Sequence, residues 1–443
     1  MYNAIILELK NIREHPNADR LNVVSVFGNQ VIIGKDSCKE GDTVIYFPSD
    51  GILSEDFCKK NNLHRHSNLN DDVNVIGYIE DNRRIRAIRL RGEESDGMLM
   101  PIKCLTYTGY NLEKLEPGLQ LTELKGIKFC EKYIPRIKNS GEKNQNRTRR
   151  KPTKRYELFK EHIDTKQLAY NIDQIKKGDL VTLTSKIHGT SQRSSYTLVT
   201  YVLPKWKELI NSGIKIFKSK KEWKSIYGTR RTIRDTDEQK KVSFYDTENF
   251  RESHHKLFDG RLAKGETVYY EVAGYTDVDR PIMGTVDTKK LNDKAFVKQY
   301  GETMSFTYGC VNGQSKIYVY RMTLTNEDGF TVDYSWSTIK NRCIEMGIEY
   351  VPEVMSSFIF DGNHDKLLQL VNDNIEGPST LDARHIKEGV VVRAENNSNF
   401  NVWKHKGWTF KVLEGIIKDA GVADIEEQEE IIKIERDKNN EQK

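Results

Sequence analysis

Apolar and polar positions change rhythm at about residue 130. Before that point the apolar runs are short. Ala4–Leu9 alternates weakly, Leu21–Phe27 and Gln30–Gly34 flank a turn at Gly28–Asn29, and Thr43–Phe47 is an unbroken β-branched and aromatic run. Further on, Arg84–Leu90 and Gly97–Ile102 flank a turn-like RGEES. Short strands divided by Gly, Asn, Asp and Ser predict a small barrel or sandwich over residues 1–130. Within IRAIRLR, strand alternation sets Ile85, Ala87 and Arg89 on one face and Arg86, Ile88 and Leu90 on the other. Arg84, Arg86, Arg89 and Arg91 therefore sit in or beside one strand, either as an ordinary charged face or as a basic groove for a nucleic-acid strand.

Glu131–Arg155 holds ten Lys or Arg against two Glu, and is nearly devoid of apolar residues after Ile137. Such a stretch cannot bury enough surface to order itself, so a basic linker over 131–155 is expected. The same charge would also suit a phosphate-contacting arm. A larger second domain follows over 156–415, with a strand signal at Val181–Thr184. The tail, 416–443, reads as helical through about Glu435. Its apolar positions Ile425, Ile431, Ile432 and Ile434 are too sparse for a coiled coil and suit packing on the second domain.

The 443 residues suffice for two or three domains. No apolar run reaches the 18 residues that a membrane helix needs, and the mixed-charge start is unlike a signal peptide. The six cysteines form no CxxC pair, which argues for reduced thiols in a cytoplasmic protein rather than a zinc ribbon or a disulfide framework. The net charge of +5 is modest, and the basic stretch between the domains carries much of it.

The chemistry gathers in the second domain. A lysine before a glycine turn, as in Lys186-Ile187-His188-Gly189-Thr190-Ser191, is by itself usually a surface charge. Here four more segments follow in order: VYYEVAGY (Val268–Tyr275), IYVYRMTL (Ile317–Leu324), EGVVVR (Glu388–Arg393) and VWKHKGWTFKV (Val402–Val412), the last read as a lysine-rich strand. The set resembles the motifs of covalent nucleotidyltransferases, the superfamily of ligases and mRNA capping enzymes, beginning with the KxDG nucleophile motif. The resemblance implies an α+β fold: an N-terminal OB-type β-barrel, then an antiparallel-sheet, ATP-grasp-like ligase domain. It makes Lys186 the nucleophile, sets Gly189 against the nucleotide, and gives Glu271 and Glu388 to the nucleotide or to Mg²⁺ or Mn²⁺. Tyr320 would stack on the base, with Tyr318 as the fallback on the same strand face. Lys411, then Lys404, and last Lys406 would hold phosphate.

These residue types suit the reaction. A lysine amine attacks phosphorus only when deprotonated, whereas its free pKa is near 10.4. Neighbouring cations and desolvation favour the neutral amine, while a metal stabilises the departing pyrophosphate. Two departures stand out: His188 replaces the usual Asp, and Arg321 follows Tyr320 where relatives often carry an acid.

Domain order narrows the resemblance. HPNADRL (His15–Leu21) and the words after it, with FxxHxDT at Phe159–Thr165, are similar to the 3′-OH RNA ligase family, which carries its OB domain in front. Capping enzymes and classical DNA ligases carry theirs behind, and the 32 residues after Lys411 are too few for a barrel. The resemblance implies ATP as cosubstrate, a lysyl-AMP intermediate, and repair of nicked duplexes with RNA on the 3′-OH side, by a monomer without membrane attachment. YGTRR (Tyr227–Arg231) resembles a strand that would direct Arg230 or Arg231 to the donor 5′-phosphate, and Arg84 and Arg86 would serve the barrel's nucleic-acid face. The competing readings are another covalent nucleotidyltransferase, such as a DNA ligase or a GTP-using capping enzyme, and a non-catalytic RNA-binding protein with a degenerate ligase domain.

Overall fold

A computed structural model describes residues 2–135, 154–213, 216–235, 245, 249–396 and 399–420. The expected linker lies largely outside these residues, as does the tail beyond residue 420. The N-terminal region is a small β-barrel of the OB type. One sheet runs Gln120–Leu121, Ala4–Glu8, Thr43–Phe47, Met98–Pro101, and a second joins Ile12–Glu14, Leu21–Val26 and Asn29–Gly34. Two apolar clusters fill it, one around Phe47, Phe57 and Phe129 and one around Val24, Val31 and Tyr46.

Local chemistry shifts several boundaries expected from the pattern. The first hairpin turns at Phe27–Gly28, with φ of 49° and 80°, because a two-residue turn between right-twisted strands requires positive φ at both positions. RGEES is only half a turn: Arg91 and Gly92 make it at φ of 51° and 94°, while Glu93–Asp96 returns as a strand against Ala87–Leu90. Arg84 therefore precedes the strand that had been expected to carry it.

The second domain is built on two mostly antiparallel sheets. A seven-stranded sheet holds Thr190–Tyr201, Glu266–Asp277 and Ser315–Thr325 in adjacent positions. A five-stranded sheet places Val402–Lys406 beside Gly389–Glu395, then Leu180–Lys186 and Glu353–Ile359. Its strand Lys166–Gln167 pairs parallel with Val402–Lys406. The chain passes from the second sheet to the first through Ile187–Gly189, so the two sheets meet where the strand bearing Lys186 ends.

The segment Val402–Val412 is a strand only as far as Lys406. A helix, Trp408–Asp419, starts after Gly407 and replaces the single strand that was expected. Helical spacing sends Phe410 and Leu413 into the core of the second domain. It turns charged residues toward the barrel: Lys411 Nζ lies 2.6 Å from Asp96, Lys418 Nζ 2.5 Å from Asp50, and Asp419 2.5 Å from Arg84. The last part of this helix is the described start of the expected tail. All six cysteines are buried and unpaired, and no helix among the described residues is long and apolar enough to cross a membrane.

Two buried histidines away from the sheet junction set an acid limit on the fold. Burial pushes His254 down to about 4, helped by Arg251, and pushes His405 down to about 3, helped by Lys411. Both are neutral when folded but bind a proton near pH 6.5 when unfolded, so the unfolded state takes up more protons as pH falls below that value. Stability should fall between pH 6.5 and pH 4, by up to about 1.4 kcal/mol per pH unit for each histidine. Urea unfolding at pH 7 and pH 5 measures this, and His254→Gln should flatten the slope; an unchanged slope would contradict the assignment.

Candidate active site

Where the two sheets meet, a cleft opens over Lys186. Lys186 is the last residue of its strand and pairs in register with Gly389, which in turn pairs with Lys406. That register brings the next-door Glu388 between two lysines. Lys186 Nζ lies 2.7 Å from Glu388 Oε1, and Lys406 Nζ lies 3.5 Å from the same oxygen. Glu388 is only 1% exposed. Burial alone would raise its pKa, but Lys186 and Lys406 outweigh it and hold the carboxyl below its ordinary range.

Gly189 follows in the turn and allows the sheets to close. A Cβ there would sit 2.3 Å from the carbonyl oxygen of Val272 and 3.0 Å from Glu271 Cγ. Across this contact, Glu271 pairs in register with Ser191 and with Tyr318, and its side chain lines the cleft.

Tyr320 also lines the cleft, and its hydroxyl lies 2.7 Å from Ser191 Oγ. The two-residue rhythm breaks at this point: Tyr269 opposes Arg321 and Tyr270 opposes Val319, which leaves Tyr320 as the extra residue of a bulge. Tyr318, expected on the same face, lies instead in the core, 1% exposed. Arg393 fixes the bulge from behind, its Nη2 donating to the Tyr320 carbonyl at 2.6 Å.

The three candidate phosphate lysines separate. Lys404 lines the cleft, and burial followed by repulsion from Lys406 and Lys186 pushes it down to about 7. Lys406 lies behind the cleft, between Glu388 and Glu414. Lys411, the first choice from sequence, is on the helix and bonded to Asp96 of the barrel. It does not line the cleft, because the strand that would have carried it ends five residues earlier, at Lys406.

Arg230 lines the cleft and bonds to Asp164, while Arg231 reaches Glu161 at 3.1 Å and Asp164 at 3.2 Å. These carboxylates come from the FxxHxDT segment. Arg84 and Arg86 do not line the cleft. Arg84 is 6% exposed, donates to the Gly415 carbonyl at 3.0 Å and pairs with Asp419. Arg86 lies 3.2 Å from Glu80 and 3.5 Å from Asp419. The expectation of an open basic groove is corrected for Arg84, whose charge is committed inside the molecule.

His188 is buried between the rings of Phe306 and Phe410, each 4.9 Å away edge-on, and its backbone N–H donates to Tyr308 Oη at 2.6 Å. Burial, against the opposing pull of Glu388, holds its pKa down at about 4, so the imidazole is neutral near pH 7. His162 and Phe400 are the aromatic cleft residues that lacked a sequence assignment. His162 is buried and meets Tyr320 edge-on at 5.1 Å, and Phe400 meets His162 at 5.6 Å. The FxxHxDT word contains His162; no local pattern marks Phe400.

For a divalent ion, the hard oxygen Glu388 Oε2 is buried without a hydrogen-bond partner, 3.8 Å from His188 Nδ1, and Glu271 lines the cleft. Among the described residues, no group of three His, Cys, Asp or Glu could hold a metal.

The family model described as an OB-fold domain matches residues 4–102. Among curated proteins none matches the chain by sequence. Among solved structures, the chain is similar to the Naegleria gruberi RNA ligase with PPi at 16% identity and a TM-score of 0.55, covering 92% of this chain and 97% of that one. A variant of that ligase with ATP and Mn aligns at 16% identity and TM-score 0.55, covering 93% and 98%. A variant with AMP and Mn gives 16%, TM-score 0.56, and the same coverage. At this identity the likeness is one of fold: an N-terminal OB barrel followed by a sheet-rich nucleotidyltransferase domain.

Gly189→Ala should force the sheet junction open at Val272, lowering stability by about 1–3 kcal/mol. The urea midpoint reads this directly, and an unchanged midpoint would mean that the junction yields freely.

Proposed function

We propose that the chain is an ATP-dependent RNA ligase working through a lysyl-AMP intermediate. The observation that carries this reading is one lysine, Lys186, held 2.7 Å from a buried carboxylate in a cleft that Glu271, Tyr320 and Lys404 also line. The Naegleria gruberi ligase, which shares the fold, has been solved with ATP and Mn, with AMP and Mn, and with PPi, and this supports the same nucleotide here.

The residues divide the work as follows. Tyr320 presents its ring to the nucleobase, with His162 packed edge-on behind it. Lys186, once deprotonated, attacks the α-phosphorus of ATP; a P–N bond forms and pyrophosphate leaves. Loss of a proton from Lys186 leaves Glu388 still matched by Lys406, so the buried carboxylate is never stranded. Lys404, pushed down to about 7, regains its proton when the anionic polyphosphate enters beside it, and so supplies positive charge where it is needed. Glu271 and Glu388 would hold Mg²⁺ or Mn²⁺, which would supply positive charge against the leaving pyrophosphate.

In the second step a 5′-phosphate oxygen at the break attacks the lysyl-AMP phosphorus and Lys186 is released. Arg230, at the mouth of the cleft, meets that 5′-phosphate, with Arg231 beside it. In the third step the 3′-OH attacks the adenylated end, a phosphodiester forms and AMP departs. We assign the substrate to nicked duplexes with ribonucleotides on the 3′-OH side, gripped by the barrel through 2′-OH and phosphate contacts. Repair of broken RNA by a monomer in the cytoplasm completes the reading.

Gel-resolved sealing of a labelled nick tests it. With ATP and Mg²⁺ the chain should seal a nick bearing RNA on the 3′-OH side, and Lys186→Ala should abolish sealing. Efficient sealing of an all-DNA nick with none of an all-RNA nick would overturn the assignment to RNA.

A further inference from the structure

A line of largely buried charge runs from the cleft through the closing helix, and the reaction above does not use its outer members, Glu414, Lys418 and Asp50. From the cleft outward, the groups alternate in sign: Lys186, Glu388, Lys406, Glu414, Lys418 and Asp50. Their separations are 2.7, 3.5, 2.8, 3.6 and 2.5 Å in turn. The line starts at the candidate nucleophile and ends on the N-terminal barrel. Glu388 and Lys418 are 1% and 2% exposed at their side chains, and Glu414 is 14% exposed. Charges this deep require partners, and removing one member of such a set compels the others to re-pair.

The detail that gives the line a role is at Glu388. Lys186 and Lys406 both address the same oxygen, Oε1, at 2.7 and 3.5 Å. They are competitors for it. Lys406 loses the contest because Glu414 holds its Nζ at 2.8 Å from the other side. Glu414 is kept in place in turn by Lys418, whose Nζ lies 2.5 Å from Asp50. Neither Lys406 nor Glu414 lines the cleft.

We propose that Glu414 is a positioning residue that holds Lys406 away from Glu388 Oε1, leaving that oxygen to orient Lys186, and that docking of the barrel through Asp50 sets Glu414. This inference rests on the adenylylation reading given above. Without the Glu414 charge, Lys406 closes on Oε1, and Lys186 swings off the line of attack on the α-phosphorus. ATP still binds, because the cleft lining is untouched. The barrel thereby acts on the first chemical step as well as on the nucleic acid.

The test is single-turnover adenylylation of the full chain with ATP and Mg²⁺, read as the limiting rate and the ATP concentration at half-saturation. Glu414→Gln should lower the limiting rate about tenfold, with half-saturation changed less than about threefold. Glu414→Asp, which keeps the charge, should recover to within about threefold of the unsubstituted chain. Asp50→Asn, at the far end, should lower the rate about threefold, and it serves if Glu414→Gln fails to fold. Asp419→Asn removes a parallel pair on the same helix that is not joined to Lys406, and should keep the rate within about twofold while loosening the same interface. The inference is overturned if Glu414→Gln keeps the full rate, if Asp419→Asn loses as much as Glu414→Gln, or if Glu414→Asp brings nothing back. No adduct on the unsubstituted chain would instead overturn the reading of function, and this inference with it.

Discussion

A carboxylate with almost no access to water must be matched by positive charge, and Glu388 is matched by two lysines on one oxygen. The arrangement around the cleft depends on that match. It needs the register that sets Lys186 across from Gly389 and Gly389 across from Lys406, which only the five-stranded sheet supplies. It needs the chain to leave that sheet immediately after Lys186, so that Glu271 and Tyr320 of the other sheet face the lysine. Gly189 makes this exit possible, since any side chain would collide with the Val272 carbonyl.

The same match extends away from the cleft. Lys406 is largely enclosed, and Glu414 and Glu388 together outweigh the cost of desolvation and keep it protonated. Glu414 belongs to the helix that packs Phe410 and Leu413 into the second domain and turns Lys411, Lys418 and Asp419 to the barrel. Apolar packing and ion pairing thus sit on different faces of one short helix. It is the piece through which the front-placed barrel and the second domain make contact close to Lys186. His188, where the motif it resembles carries an acid, fits this electrostatic setting: a second buried carboxylate beside Glu388 would need a further cation, whereas a neutral imidazole between two phenylalanine rings needs none.

The sequence was informative wherever a local rule decides the structure. Strand runs such as Thr43–Phe47, the glycine turn after Lys186, and the order of the five motifs all depend on near neighbours. It was misleading where a long-range partner decides. Arg84 reads as an open charge until Asp419 and the Gly415 carbonyl arrive from more than 300 residues away. Lys411 reads as part of a strand because WTFKV is rich in strand formers, yet burial of Phe410 and Leu413 on one helical face prevails. Tyr318 and Tyr320 share a face under strict alternation, and a bulge that no local pattern announces moves one to the core and the other to the cleft. His162 and Phe400 reach the cleft only through folding.

The central claim is that Lys186, steadied by Glu388, is the residue that takes AMP. Intact-mass measurement of the purified chain after incubation with ATP and Mg²⁺, without nucleic acid, tests it most directly, beside Lys186→Ala and a GTP sample. The account predicts a gain of one AMP with ATP, lost on acid treatment as a phosphoramidate should be, and absent from the variant. An adduct that persists in Lys186→Ala, an adduct with GTP alone, or none with either nucleotide after removal of any bound AMP would contradict it.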